Sequence, residues 1–174
     1  MVKYMPEVAA PWLAGAQDSD RSAAKAAQDA LRQTFNTPEK LQSVPRVFQQ
    51  SILEYCRNAI VDETVQTLSD ERTVSADDAE ATYARVIATS LAVVNNLLSE
   101  LSPEEIEKQR ASYDTLLGDE KVWAFASDKD VGVRRAVFRL MRTCLEQEKG
   151  KLTLYWVGYL LNSIRYRTSR FEEC

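Results

Sequence analysis

The chain has 174 residues and a net charge of −4, from 22 Lys and Arg against 26 Asp and Glu. That is the length of one domain, long enough to bury a core without disulfide or metal, and its acidic balance excludes wrapping nucleic acid with the whole surface. There is no histidine, and Cys56, Cys144 and Cys174 stand far apart, which excludes Ser-His-Asp and Cys-His catalysis, His-dependent zinc sites and CxxC pairs.

Glycine and proline number five each, and the glycines never fall in a phosphate-binding spacing. Alanine, leucine, glutamate and arginine dominate, which is a helical composition. A first helix is predicted from about Tyr4 to Ala14, ending near Gly15. Asp20 caps a second that reaches Phe35, with Ala23, Ala26, Ala27 and Ala30 as a small face for close helix contact. Thr37 and Pro38 open a short turn with proline at the first helical position. Val44, Phe48, Ile52, Tyr55 and Ala59 recur at helical spacing, so one helix is expected from about Pro45 to Glu63. A polar stretch follows, Val65 to Val74, longer than a median connection.

Ser75 and Asp78 read as a capping box that starts a helix running to Leu101. Val86 to Ser99 carries no charge, so this helix is expected to be the most buried. Ser102, Pro103, Glu104 and Glu105 start another, ended by Gly118. A short piece carries Trp123 and Phe125, and Asp128 to Asp130 open a helix to about Glu148. No run alternates with period two, so no sheet is expected. The longest apolar run, Leu154 to Leu161, is well short of the ~20 residues of a membrane span, and Pro6, Glu7 and Pro11 interrupt any signal-peptide core. The chain reads as cytosolic, with no membrane, cofactor or small-molecule substrate, and with Cys56 and Cys144 as small core residues.

Two helix starts share one pattern. Asp18, Asp20, Ala23, Lys25, Ala26 and Ala27 match Asp128, Asp130, Val133, Arg135, Ala136 and Val137. An aspartate at such a start accepts hydrogen bonds from free amides and suits the helix dipole. This resembles the second helix of a HEAT repeat. At about 40–47 residues per repeat, the chain holds about four helix pairs. The fold expected is all-α, with antiparallel helix pairs in a HEAT/armadillo-like solenoid.

The block Glu63, Thr64, Thr67, Leu68, Ser69, Asp70, Thr73 and Val74, followed by Tyr83, Arg85, Val86, Ser90 and Leu91, resembles the N-terminal region of listerins. These are large RING-type E3 ubiquitin ligases of ribosome-associated quality control. Ala10 to Leu13, Ala26 to Leu31, Phe35, Val122 to Phe125 and Val133 to Val137 look like the same region. The resemblance covers about residues 6 to 147, so the division expected is a helical-repeat domain over residues 1–148 and a divergent tail over 149–174, the latter read as the mark of a truncated gene model. It implies docking to the large ribosomal subunit and to the quality-control factor that holds the stalled peptidyl-tRNA. It does not imply catalysis here, because three scattered cysteines without histidine cannot build a RING.

Two groups of residues are candidates for docking. On the helix from Asp130, Val133, Val137, Leu140, Met141 and Cys144 share one face, while Arg135, Arg139 and Arg142 fall on the opposite one. Three guanidiniums in one exposed stripe suit phosphate or carboxylate; a solvated helix face is the plainer alternative. The polar stretch adds Thr67, Ser69, Asp70 and Thr73, as a contact surface or as a plug against helix ends. Trp12 and Trp123 read as core residues, and Trp156 as large enough to anchor a partner. Beside the ribosome-docking reading stands a HEAT-like protein-binding scaffold with no ribosomal role.

Overall fold

The computed structural model describes residues 5–70 and 72–147. Among them are ten α-helices and no strand: α1 Met5–Ala16, α2 Arg21–Thr34, α3 Pro38–Val47, α4 Gln49–Arg57, α5 Val65–Leu68, α6 Ala76–Glu100, α7 Pro103–Glu107, α8 Arg110–Leu117, α9 Glu120–Ala124 and α10 Val131–Gln147. A π-helical turn, Asn58–Asp62, continues α4, and a short 3-10 turn, Phe125–Ser127, follows α9. Among the described residues the fold is all-α, as the composition and spacing predict. Tail residues 149–174, with Trp156, lie outside the described residues.

The paired helix starts are alike in atomic detail. The Asp20 carboxylate accepts from the amides of Ser22 at 2.7 Å and Ala23 at 3.0 Å, and the Asp18 carboxylate accepts from the amide of Asp20 at 2.8 Å. At α10, Asp130 accepts from the amide of Val133 at 2.9 Å, and Asp128 from that of Asp130 at 2.7 Å. Each first aspartate folds the turn and each second one satisfies amides the helix leaves open.

α6 is the central helix. Ile87, Ser90, Leu91 and Val94 are fully buried, and Val93, Leu97 and Leu98 nearly so. It packs against α1, α4, α5 and the π-helical turn, and α1 packs in turn on α2 and α4. Gly15 is the penultimate residue of α1, so the helix ends near it as expected. A Cβ built there would stand 3.3 Å from the Ala27 Cβ of α2, so the absent side chain is what lets the two backbones approach. The small face of α2 is used only in part: Ala27 and Ala30 are half-buried, whereas Ala23 and Ala26 face solvent.

Three departures from expectation have local causes. The helix expected from Pro45 to Glu63 is two helices that meet at Phe48, whose φ of −106° and ψ of 16° bend the chain. Pro45 lies inside α3 and has no amide to donate, which bends a helix near its position. The helix expected from Ser102 to Gly118 is α7 and α8, hinged at Gln109 with φ −116° and ψ 23°. The Ser102–Glu105 capping box that starts it is complete: the Glu105 amide donates to the Ser102 hydroxyl at 3.3 Å and the Ser102 amide to the Glu105 carboxylate at 3.0 Å. At Ser75 only half the expected box forms. Its hydroxyl accepts from the Asp78 amide at 3.2 Å but donates to the Asp78 carboxylate at 2.7 Å, side chain to side chain. Aspartate is one methylene too short to reach back to the cap amide as glutamate does.

The core readings hold for Trp123, which is buried and donates its indole N–H to the Leu117 carbonyl at 2.7 Å. Trp12 is half-buried. Cys56 is fully buried, and burial raises its thiol to a pKa of about 12. Cys144 is only half-buried.

Candidate functional site

The compact unit that ends at Leu140 contains a cleft of about 250 Å³. One wall is the face of α6 carrying Arg85, Ala88, Thr89, Ala92, Asn95 and Asn96; the other is the start of α10, with Gly132, Arg135, Ala136 and Arg139; Gln17 and Ser19 close one end. The alanines and Gly132 keep the floor shallow and apolar. The rim carries guanidiniums and amides.

Local sequence dictates how each wall is presented. α10 turns Val133, Val137 and Leu140 into the core, each at most 1% exposed, so Arg135 and Arg139, one turn apart, point outward together. The Arg134 guanidinium donates to the carbonyls of Asp128 at 2.6 Å and Lys129 at 2.9 Å, bracing the turn from which α10 starts. On α6, Thr89 donates its hydroxyl to the carbonyls of Arg85, at 2.9 Å, or Val86, at 3.0 Å, so that hydroxyl is bonded within its own helix.

The three cleft arginines are not equivalent. Arg85 meets the Asp18 carboxylate at 3.8 Å. Among the described residues, Arg135 and Arg139 have no carboxylate within ion-pair distance, and both are exposed. Arg142, the third member of the stripe, belongs to the unit that begins at Met141 and pairs with Glu146 along its own helix at 3.5 Å. The structure thus brings Arg135 and Arg139 to the cleft with Arg85, a residue that sequence reasoning missed. The uncharged run from Val86 to Ser99 suggests a helix buried all round. The signal lay in Ala88, Ala92, Asn95 and Asn96, small and amide side chains that share one face of it.

Thr67, Ser69 and Asp70 line a separate shallow surface with Gln66, Leu68 and Arg72, and Thr73 is joined to it through Asp70. The Thr67 hydroxyl accepts from the Thr64 amide at 2.8 Å and contacts the Glu63 carboxylate, while the Thr67 amide donates to the Thr64 hydroxyl at 3.3 Å. Asp70 accepts from the Arg72 amide and Nε, each at 3.0 Å, and from its Nη2 at 2.9 Å. The Arg72 guanidinium holds the Asp70 carboxyl below the usual carboxylate range. The Thr73 amide and hydroxyl both donate to the Asp70 carbonyl, at 2.9 and 3.2 Å. Ser69 is half-buried. The polar stretch is therefore a short helix, α5, followed by a turn, with Thr67, Asp70 and Thr73 bonded to near neighbours in sequence.

Helix packing around α6, with twin aspartate turns and an arginine-rimmed cleft, defines a domain of the all-α class. Residues 1–157 match the family model of the E3 ubiquitin-protein ligase listerin N-terminal domain. The chain is 35% identical over 154 residues to the E3 ubiquitin-protein ligase listerin of Neurospora crassa, covering 86% of this chain and 9% of that protein. It is 30% identical over 141 residues to that of Mus musculus, covering 81% and 8%, and 29% identical over 177 residues to that of Saccharomyces cerevisiae, covering 97% and 11%. The chain belongs to the listerin family, by its N-terminal domain, and spans about a tenth of the length of these relatives.

Proposed function

We propose that this chain is the ribosome-docking N-terminal portion of a listerin-type E3 ubiquitin ligase, acting in the cytosol in ribosome-associated quality control and the ubiquitin-dependent degradation of stalled nascent chains. Its partners are the large ribosomal subunit and the quality-control factor that holds the peptidyl-tRNA. Ubiquitin transfer belongs to the RING of the full-length ligase, far along the sequence, and this domain supplies position rather than chemistry. The observation that carries the reading is the pair Arg135 and Arg139, exposed, one helical turn apart and, among the described residues, without carboxylate partners, on a chain whose net charge is negative. Retaining two unneutralised guanidiniums side by side costs repulsion that a bound anionic partner removes.

The test is co-sedimentation with purified large subunits over a salt series. The chain is expected to pellet with the subunit at low salt and to be released as ionic strength rises. Arg135→Glu with Arg139→Glu is expected to weaken pelleting while the far-UV circular dichroism spectrum stays unchanged. Unchanged pelleting by the folded double variant refutes the assignment of docking to this pair. No pelleting by the unaltered chain at any salt leaves the protein-binding scaffold without a ribosomal role.

A further inference from the structure

We infer that the cleft between α6 and α10 takes a short acidic peptide segment of a protein partner, with two of its carboxylates on Arg135 and Arg139. The inference rests on reading the chain as a docking module and names the chemistry of what docks in this cleft.

Spacing comes first. Arg135 and Arg139 are four residues apart on one helix, which puts their Cβ atoms about 5–6 Å apart. Alternate side chains of an extended peptide lie about 6.6–6.8 Å apart on one face, so acidic residues at positions i and i+2 reach both guanidiniums. Each guanidinium accommodates a carboxylate in bidentate fashion.

The rest of the lining favours a peptide over a nucleic-acid strand. Gln17 and Asn96 bring amides, each with a donor and an acceptor, to the same cleft. A peptide backbone offers both complements, whereas a phosphodiester backbone offers acceptors alone. Ala88, Ala92 and Ala136 line the floor and let a backbone approach closely without displacing a large side chain. At about 250 Å³ the space suits a few residues, not a nucleic-acid duplex. Among the described residues no aromatic side chain lines the cleft, although single-stranded binding sites commonly use them for base stacking. Finally, Asp18 already holds Arg85 at the end beside Gln17 and Ser19. That carboxylate limits the anion to a short run and opposes a long polyanion tracking through.

The experiment uses the whole chain and fluorescence anisotropy with two labelled probes of equal charge, a peptide of alternating glutamate and alanine and an oligouridylate. The peptide is expected to bind, at least about tenfold more tightly than the oligouridylate. Arg135→Gln and Arg139→Gln are each expected to weaken it by about tenfold, the scale of one lost charge-assisted bond. Asn96→Asp, which places a carboxylate in the cleft without removing an arginine, is expected to weaken the peptide as well and serves if an arginine variant fails to fold. Equal or tighter binding of the oligouridylate overturns the partner class, and peptide affinity indifferent to all three variants overturns the cleft. Loss of this inference alone shows as subunit co-sedimentation retained with no peptide binding; loss of the docking reading alone shows as the reverse.

Discussion

Tyr113 and Gln49 offer the sharpest test of how the domain holds together. Tyr113 on α8 is 2% exposed and Gln49 on α4 is 4% exposed, and the Gln49 amide donates to the Tyr113 phenol oxygen at 2.9 Å. Tyr113→Phe keeps the ring and removes the acceptor. The cost is that of a buried donor left without its partner, about 1–3 kcal/mol. For a domain of this size each kcal/mol moves Tm by about 2–4 °C, so thermal unfolding followed at 222 nm is expected to fall by roughly 2–12 °C. Gln49→Leu removes the donor. The double variant is expected to lose less than the two single losses together, because neither partner is then left unpaired. Burial raises the Tyr113 pKa from 10.0 to about 12, partly offset by the bond from Gln49. A raised folded-state pKa means its contribution is whole below about pH 10 and is lost as pH climbs through about 12. Tyr113→Phe is therefore expected to flatten the alkaline unfolding limb. Strict additivity in the double-variant cycle, with an unchanged alkaline limb, refutes the coupling.

Leu91→Ala, at the fully buried centre of α6, is expected to cost about 2–5 kcal/mol in denaturant unfolding; a loss below about 0.5 kcal/mol shows the helix to be peripheral. Gly15→Leu is expected to destabilise by about 1–3 kcal/mol through overpacking against Ala27, with Gly15→Ala much milder by the same melt. Asp20→Asn keeps the cap acceptor and removes its charge. The amides of Ala23 and Ser22 lower the Asp20 pKa, so its contribution is present above the unfolded carboxylate value and is lost as pH falls through the lower folded one. The variant is expected to flatten the acid limb, and an unchanged acid limb refutes this role. Arg135→Glu with Arg139→Glu is expected to change stability by no more than about 0.5 kcal/mol, as surface positions opposite Val133 and Val137.

Much of the fold is legible because its signals are local. Both aspartate turns, the Ser102–Glu105 box and the uncharged stretch of α6 are written within a few residues of where they act, and each forms. The bends at Phe48 and Gln109 are not written that way. Periodicity runs straight through Phe48, and only the missing amide of Pro45 hints that the helix turns. The π-helical turn is equally hidden: Ala59, Ile60 and Val61 are all buried in succession, which a helix with one apolar stripe does not do. The candidate site was half legible. Helical spacing places Arg135 and Arg139 together, but no one-dimensional pattern shows that α6 supplies the facing wall, since that depends on how two distant helices pack. Thr67, Asp70 and Thr73 look conspicuous in sequence, yet each bonds near neighbours: Thr67 bonds Thr64 and Glu63, and Asp70 bonds Arg72 and Thr73.

The π-helical turn ends in an arrangement that bears on where the domain can be divided. The Lys121 ammonium of α9 donates to the Val61 carbonyl at 2.7 Å, a positive charge placed where helix carbonyls run out of amide partners and the dipole is negative. Ile60, 1% exposed, lies in the same turn, and α9 packs against it. A fragment cut anywhere before α9 loses both the lysine at the Val61 carbonyl and the helix packed on this turn, however complete its own helices look on paper. The end of this turn is thus capped by a lysine sixty residues later in the chain, and a dissection by helix count would sever that contact.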